Sequence, residues 1–150
     1  MAKVTVVLGN GEIVFNTDNV SHIEAPASVT QSKDGKAEDA RWICFIFLSS
    51  GMQLALPFDT EEDRDGVFAQ FTEGWVQSNV AIGRTAFNSN AITHIDRGNL
   101  QQEVREDGAP EGSGRMEWCV NVFMLAGNQC VLPYDDKETR DKAYSVLTAI

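Results

Sequence analysis

The chain has 150 residues, of which 43% are hydrophobic and 23% charged, with a formal net charge of −10 and a pI near 4.5. This composition is typical of a soluble globular protein. No apolar run approaches the about 18 residues that a membrane span requires, so we expect no membrane association. Because an acidic surface repels phosphate backbones, the charge makes nucleic acid a less favoured partner.

The beginning of the chain and its cysteines indicate a reducing compartment. Lys3 to Leu8 already has a strand pattern, and no apolar leader precedes it, so we expect a cytoplasmic protein. Cys44, Cys119 and Cys130 all lie in apolar, strand-like stretches. This placement favours buried thiols over a disulfide or a metal site, and we expect no cofactor.

The first half of the chain is predicted to be mostly β-structure. Lys3 to Leu8 and Glu12 to Asn16 flank a turn that contains Asn-Gly, a strong signal for a hairpin. A third strand is expected from Ile23 to Gln31, followed by a polar hairpin tip at 32–40. Two further strands are expected, Arg41 to Leu48 and Met52 to Phe58.

A helix is predicted after the fifth strand. Asp59, followed three residues later by Glu62, fits an N-cap with a capping-box partner, and Asp135 with Glu138 repeats the pattern. Arg-Asp pairs follow at Arg64-Asp65 and Arg140-Asp141. Because adjacent helix residues do not face each other, we expect each member of a pair to bind a neighbouring strand or loop.

The second half repeats the order of the first. Trp42 to Phe71 aligns with Trp118 to Leu147, and Val4 to Glu24 aligns with Val76 to Asp96, both without a gap. The sequence therefore predicts an α+β fold made by tandem duplication of an antiparallel β-sheet of four to five strands followed by one helix. We expect two repeats, 1–74 and 75–150, packed as a pseudo-twofold unit.

Each long strand is apolar on both of its faces. Phe45, Phe47 and Phe123 lie opposite the face that should pack against the helix. A sheet that is apolar on both faces is normally covered on both. We therefore expect the second apolar face to meet the sister repeat or another subunit, and the protein to be a homo-oligomer through that face.

The two histidines occupy equivalent positions of the repeats, each followed two residues later by a carboxylate. The pairs are His22 with Glu24 and His94 with Asp96. Such a pair can bind a metal or perform acid–base chemistry, so a metal-dependent enzyme is one alternative. Because no nucleophile or further ligand is recognisable beside either pair, we favour a structural role for both histidines.

Cations on the hairpin tips give a second alternative, binding of single-stranded nucleic acid through a sheet face. Lys33 and Lys36 lie in the first tip, and Arg105 and Arg115 bound the second, at 105–115. The order of strands and helix resembles that of Whirly- and PUR-type single-strand binding proteins. The resemblance covers the order of elements and implies nucleic-acid binding by the sheet.

No P-loop, dinucleotide fingerprint, nucleophile elbow or HExxH sequence is present. We therefore expect a non-enzymatic binding module for a protein or small-molecule ligand, the kind of recognition that a bacterial or phage accessory or inhibitor protein provides. The candidate binding residues are His22, Glu24, His94, Asp96, Lys33, Lys36, Arg105, Arg115, Phe45, Phe47 and Phe123.

Overall fold

The computed structural model describes residues 3–8, 11–29, 40–80, 83–105 and 108–149. Within these ranges the protein is α+β, with eleven antiparallel strands in three sheets and two helices. The strands are β1 (Lys3–Leu8), β2 (Gly11–Asn16), β3 (Val20–Pro26), β4 (Trp42–Leu48), β5 (Gln53–Phe58), β6 (Val76–Val80), β7 (Gly83–Phe87), β8 (Ile92–Arg97), β9 (Gln102–Val104), β10 (Arg115–Met124) and β11 (Gln129–Tyr134). The helices are α1 (Glu61–Thr72) and α2 (Lys137–Thr148). The predicted tip residues 32–39, with Lys33 and Lys36, lie outside the described residues.

The predicted hairpin of β1 and β2 forms a two-stranded sheet of its own. Its inner face packs on α1, where the Phe15 ring meets Phe71 edge-on at a centroid distance of 5.2 Å. Its outer face carries Val7 and Val14, which are 72% and 57% exposed. Among the described strands, β2 pairs with β1 alone, so its other edge is open.

The largest sheet combines strands from both halves of the chain, in the order β5-β4-β3-β7-β6. The first half supplies β3, β4 and β5, and the hairpin of β6 and β7 comes from the second half. β7 lies antiparallel to β3, from His22 opposite Phe87 to Pro26 opposite Gly83. The first half's sheet is thus completed by a hairpin that follows its helix in the sequence.

Backbone contacts fix β7 against β3. The Asn88 N–H donates to the Ser21 carbonyl at 3.0 Å, and the Asn88 side-chain amide donates to the Val20 carbonyl at 3.0 Å. Gly83, at φ +149°, lies so close to β3 that a Cβ there would overlap the Ala25 carbonyl oxygen. Only glycine fits this position without displacing one of the two strands.

The remaining sheet has the order β11-β10-β8, with β9 paired to the opposite end of β10. β8 and β10 have the same register as β3 and β4: His94 lies opposite Phe123, and His22 lies opposite Phe47. The β3–β4 pair and the β8–β10 pair also each contain a shift in strand register at equivalent positions. In the described part of the chain, no strand pairs with the outer edge of β8.

The N-cap of each helix lies one residue later than predicted. Thr60 caps α1 by accepting the Asp63 N–H at 3.1 Å, and Asp136 caps α2 by accepting the Thr139 N–H at 2.7 Å. Thr60 and Asp136 are aligned with each other. The prediction of Asp59 as cap was wrong by one position because both residues are good capping types before an acidic turn.

A buried arginine joins each helix to the sheet beneath it. The Arg64 guanidinium donates to the carbonyls of Pro26 (2.9 Å) and Ile43 (3.2 Å) and lies 5.2 Å from the centre of the Trp42 ring. It also donates to Asp65 at 2.9 Å. Both residues bind neighbouring strands as predicted, since Asp65 also pairs with Arg84 of β7, and the contact between the two adjacent residues is an addition that the prediction did not include.

Arg140 of α2 makes equivalent contacts with the sheet that contains β8 and β10. It donates to the carbonyls of Gly98 (3.0 Å) and Cys119 (3.2 Å) and to Asp141 (2.8 Å), and it lies 5.1 Å from the Trp118 ring. A guanidinium has five donors in a fixed plane, which suits it to bridging two strand ends at once. The paired arginines and tryptophans thus have a structural role in both halves.

Two apolar clusters form the core. One lies between α1 and the first half's strands, and the other lies beneath α2 and includes Phe87 of β7. All three cysteines are free and buried, as predicted. Neither α1 nor α2 has the length and hydrophobicity that crossing a membrane demands.

Candidate functional site

His22 and His94 occupy matching irregularities, and the same contacts hold both rings. Each ring stacks on the phenylalanine across the strand pair, at 4.1 Å for Phe47 and 4.2 Å for Phe123. The preceding hydroxyl, of Ser21 or Thr93, lies 3.0 Å from the histidine Nδ1. These contacts hold both histidine rings in the same orientation relative to their strands.

The two histidines differ in burial. His22 is 1% exposed because Phe87 of β7 and Cys130 of β11 cover it, whereas His94 lies on an open strand and is exposed. The difference follows directly from the fold: a hairpin covers the β3 edge, and the equivalent edge of β8 has no described neighbour.

The hydrogen bonds around His22 determine its tautomer. Ser21 donates its hydroxyl proton to the Phe47 carbonyl at 3.1 Å, so its oxygen accepts from the His22 Nδ1–H. Nε2 therefore carries a lone pair, and it points at the Cys130 Sγ, 3.2 Å away. Burial lowers the pKa of His22 to about 4, which keeps the ring neutral at physiological pH.

Glu24 joins His22 and Cys130 in one cluster. A ligand atom from each of the three residues lies within 4.8 Å of the others. In the described part of the chain, this is the one group of three or more metal-ligating side chains so close together. Burial raises the pKa of Glu24. Burial, and to a smaller extent the negative charge of Glu24, raise the pKa of the Cys130 thiol to about 12.

A cavity of about 270 Å³ opens beside this cluster, between β3, β7 and β11. Glu24 and Cys130 both line it, as do Arg84 and Thr85. Arg84 is bound to Asp65 of α1 at 2.5 Å. The cluster is therefore buried on the His22 side and reachable from the Glu24 side.

The second predicted pair does not form such a cluster among the described residues. Asp96 accepts a hydrogen bond from the Asn121 side chain at 2.9 Å, and Arg97 forms an ion pair with Asp141 at 2.8 Å. Leu54 aligns with Cys130, so the two halves differ in the residue that completes the group. Beside His94, the outer edge of β8 has no strand partner within the described ranges.

The other predicted residues are scattered. Phe45, Phe47 and Phe123 are half-buried on the second face of their sheets. Arg105 lies 4.0 Å from Glu103, and Arg115 lies 3.3 Å from Glu117, so both arginines have carboxylate partners. The structure does not gather these residues into one site.

Cys130 was missed as a site residue. The sequence predicted a buried thiol there, and nothing local indicates that β11 crosses to β3 of the other half. The one available signal is that a cysteine replaces the aligned Leu54.

Comparison of the chain with protein-family models, curated proteins and solved structures found no match in any of the three.

Proposed function

We propose that this protein is a non-enzymatic binding module whose partner is a second copy of the same chain. The β1–β2 hairpin of one copy adds to the outer edge of β8 in the next. One observation carries the proposal: β3 has a hairpin on its edge, and none of the described strands pairs with the equivalent edge of β8. An unpaired edge strand is a ready template for strand addition.

A tandem duplication underlies the proposal. The two hairpins have the same register, with Val4 opposite Phe15 in one and Val76 opposite Phe87 in the other. Each hairpin packs on the helix of its own half. The β6–β7 hairpin pairs with β3, a strand of the other half of the chain. The equivalent β1–β2 hairpin can pair in the same way with β8, and a second chain supplies that β8.

The β7–β3 pairing gives the register of the contact between copies. Transferring it to the aligned residues places Phe15 opposite His94, Val14 opposite Ile95 and Glu12 opposite Arg97. In the donor hairpin Val14 is 57% exposed, and its aligned residue Ala86 is fully buried. Strand addition therefore buries an apolar side chain that is otherwise open to solvent.

Charge also fits this register. Within the chain, Arg84 of β7 lies opposite Ala25 of β3. In the contact between copies, the arginine is on the acceptor strand, as Arg97, and faces Glu12 of the donor. Opposite charges across a strand pair stabilise it by roughly 0.2–1 kcal/mol. The contact thus has both apolar and charge complementarity.

Each copy offers one donor hairpin and one acceptor edge. The contact is therefore head to tail, and repetition closes it into a ring or extends it as a filament. In such an assembly His94 becomes covered as His22 is, with Leu54 of the neighbouring copy at the position that Cys130 holds within the chain.

Sedimentation velocity and light scattering over a range of micromolar concentrations test the proposal. The expected result is a species that is a multiple of 16.5 kDa. Val14→Lys places a charge on the donor edge and should give monomers. Val7→Lys makes the same change on the same exposed face but on β1, which is not the pairing strand, and should assemble normally.

A mixing experiment tests the head-to-tail geometry. Arg97→Glu places two negative charges opposite each other at the acceptor and should also be monomeric alone. Because Val14→Lys keeps its acceptor and Arg97→Glu keeps its donor, an equimolar mixture should form a one-to-one complex. A native protein of 16.5 kDa at every concentration contradicts the proposal.

Nucleic-acid binding is the less favoured proposal, because Arg105 and Arg115 are ion-paired and the net charge is −10. A fluorescence titration with a mixed-sequence single-stranded oligonucleotide at low salt tests it, since electrostatic attraction is strongest there. Saturable binding at micromolar protein would favour it.

A further inference from the structure

We infer that His22, Glu24 and Cys130 form a Zn²⁺ site that joins β3 to β11. Imidazole nitrogen, carboxylate oxygen and thiolate sulfur are the ligand types that Zn²⁺ takes in proteins. The three residues come from the two halves of the chain, and their ligand atoms already lie within 4.8 Å of one another. The inference is independent of self-assembly.

The distances fit tetrahedral coordination after a small adjustment. With zinc bonds of about 2.0–2.3 Å, ligand atoms lie about 3.3–3.6 Å apart. His22 Nε2 and Cys130 Sγ are 3.2 Å apart, already close to this separation. Glu24 has to approach by at most about 1.5 Å, which rotation of its side chain supplies.

The surroundings orient the histidine as a ligand. In protein metal sites, the second ring nitrogen usually donates to an oxygen, which fixes the tautomer and the direction of the lone pair. Ser21 provides this contact at His22 Nδ1 (3.0 Å), and Phe47 stacks on the ring. The lone pair at Nε2 is therefore aimed at the cluster before any ion arrives.

Glu24 and the cavity supply the rest of the site. Burial disfavours the charged form of the Glu24 carboxylate, and a divalent cation would compensate that charge. The adjacent cavity, about 270 Å³, gives the ion access and leaves room for water as a fourth ligand. Three protein ligands and one open position differ from the closed four-ligand arrangement of purely structural zinc sites.

Binding of Zn²⁺ releases one proton from the protein, and the charges of the ion and its ligands then cancel. The Cys130 thiol releases its proton to solvent and binds as thiolate, while His22 binds as the neutral ring and Glu24 as carboxylate. The two negative ligands match the charge of the ion, so the occupied site is neutral.

The test is calorimetric titration of Zn²⁺ into the full-length protein after removal of metals by a chelator, with thiols kept reduced. We expect one ion per chain. Co²⁺ in place of Zn²⁺ should give a thiolate-to-metal charge-transfer band and the intense visible bands of tetrahedral cobalt, which report the Cys130 ligand directly.

Variants separate this site from adventitious binding. Cys130→Ser and Glu24→Gln change the ligand while keeping the shape, and each should weaken Zn²⁺ binding about tenfold or more. His94→Gln and Asp96→Asn make matching changes at the aligned pair, which lacks the third ligand, and should leave affinity unchanged. Circular dichroism confirms that each variant is folded.

Two results overturn the inference. One is the absence of Zn²⁺ binding and of the cobalt bands in the native protein at high micromolar concentration. The other is binding that Cys130→Ser and Glu24→Gln leave unchanged, or that His94→Gln weakens equally, because the ion then lies elsewhere. Both results are independent of whether the chains assemble.

Discussion

At the scale of single residues, the buried arginines show how one side chain joins three elements. Arg64 satisfies carbonyls at the ends of β3 and β4 from a position on α1, and Arg140 does the same on the second sheet. Without the guanidinium, these carbonyls lose their donors inside the protein, which is costly.

Replacing either arginine should therefore destabilise the fold. We expect Arg64→Leu and Arg140→Leu each to lower the free energy of unfolding by about 3 kcal/mol, because hydrogen bonds to a buried charge are lost and their acceptors remain. Lys142→Ala, on the exposed side of α2, should change it by less than about 0.5 kcal/mol. Urea denaturation measures all three, and equal effects would contradict the role of the arginines.

The neutral state of His22 makes the stability of the metal-free protein depend on pH. Burial lowers its pKa from 6.5 to about 4. The stability that this group contributes is complete above pH 6.5 and is lost as the pH falls toward 4, because the unfolded chain takes up the proton first. Between pH 7 and pH 5 the loss should be roughly 2 kcal/mol.

Glu24 acts in the opposite direction, because burial raises its pKa and the folded protein holds that proton more readily than the unfolded chain. The contribution of His22 is therefore measured as the difference between native protein and His22→Gln, both unfolded by urea in the presence of a chelator. A variant with the same slope as the native protein would show that folding does not lower the pKa of His22.

At the scale of elements, the sequence predicted most strands, both helices and the β1–β2 hairpin, but not which strands pair between the two halves. Alternating Val and Thr, the Asn-Gly turn and Pro57 are local signals, and they correctly indicated β1, β2 and β5. The pairing of β7 with β3 depends on packing between the two halves. No local pattern encodes that packing, and the site at Cys130 was missed for the same reason.

Two glycines test the β7–β3 contact. Gly83 and Gly11 are aligned and have φ of +149° and +155°, so alanine strains the backbone similarly at both. A Cβ at Gly83 overlaps β3, whereas a Cβ at Gly11 meets nothing within 4 Å. Gly83→Ala should therefore cost about 1–3 kcal/mol more than Gly11→Ala in thermal or urea unfolding.

The same pair also reports on assembly. In the proposed contact between copies, Gly11 approaches β8 as Gly83 approaches β3. Gly11→Ala should therefore leave the monomer folded and reduce its assembly in sedimentation. Equal destabilisation by the two substitutions would show that the close approach at Gly83 contributes nothing.

At the scale of the whole molecule, the halves share a sheet and should unfold together. The β6–β7 hairpin pairs with β3 and also packs beneath α2, so neither half keeps its contacts without the other. We expect one transition in urea, with coincident curves from tryptophan fluorescence and far-ultraviolet circular dichroism. Two separable transitions would mean that 1–74 and 75–150 are independent domains.

The late position of β7 in the chain bears on how the protein is synthesised. β3, β4, β5 and α1 all leave the ribosome before β7. The β3 edge is therefore open for about 3 to 12 seconds at elongation rates of about 5–20 residues per second. During that interval, the β1–β2 hairpin of a neighbouring nascent chain can occupy it. Translation speed and crowding on a polysome then influence whether β3 pairs with β7 of its own chain or with the hairpin of another chain. Comparing the mass distributions of protein made by slow and by rapid expression would reveal pairing between chains.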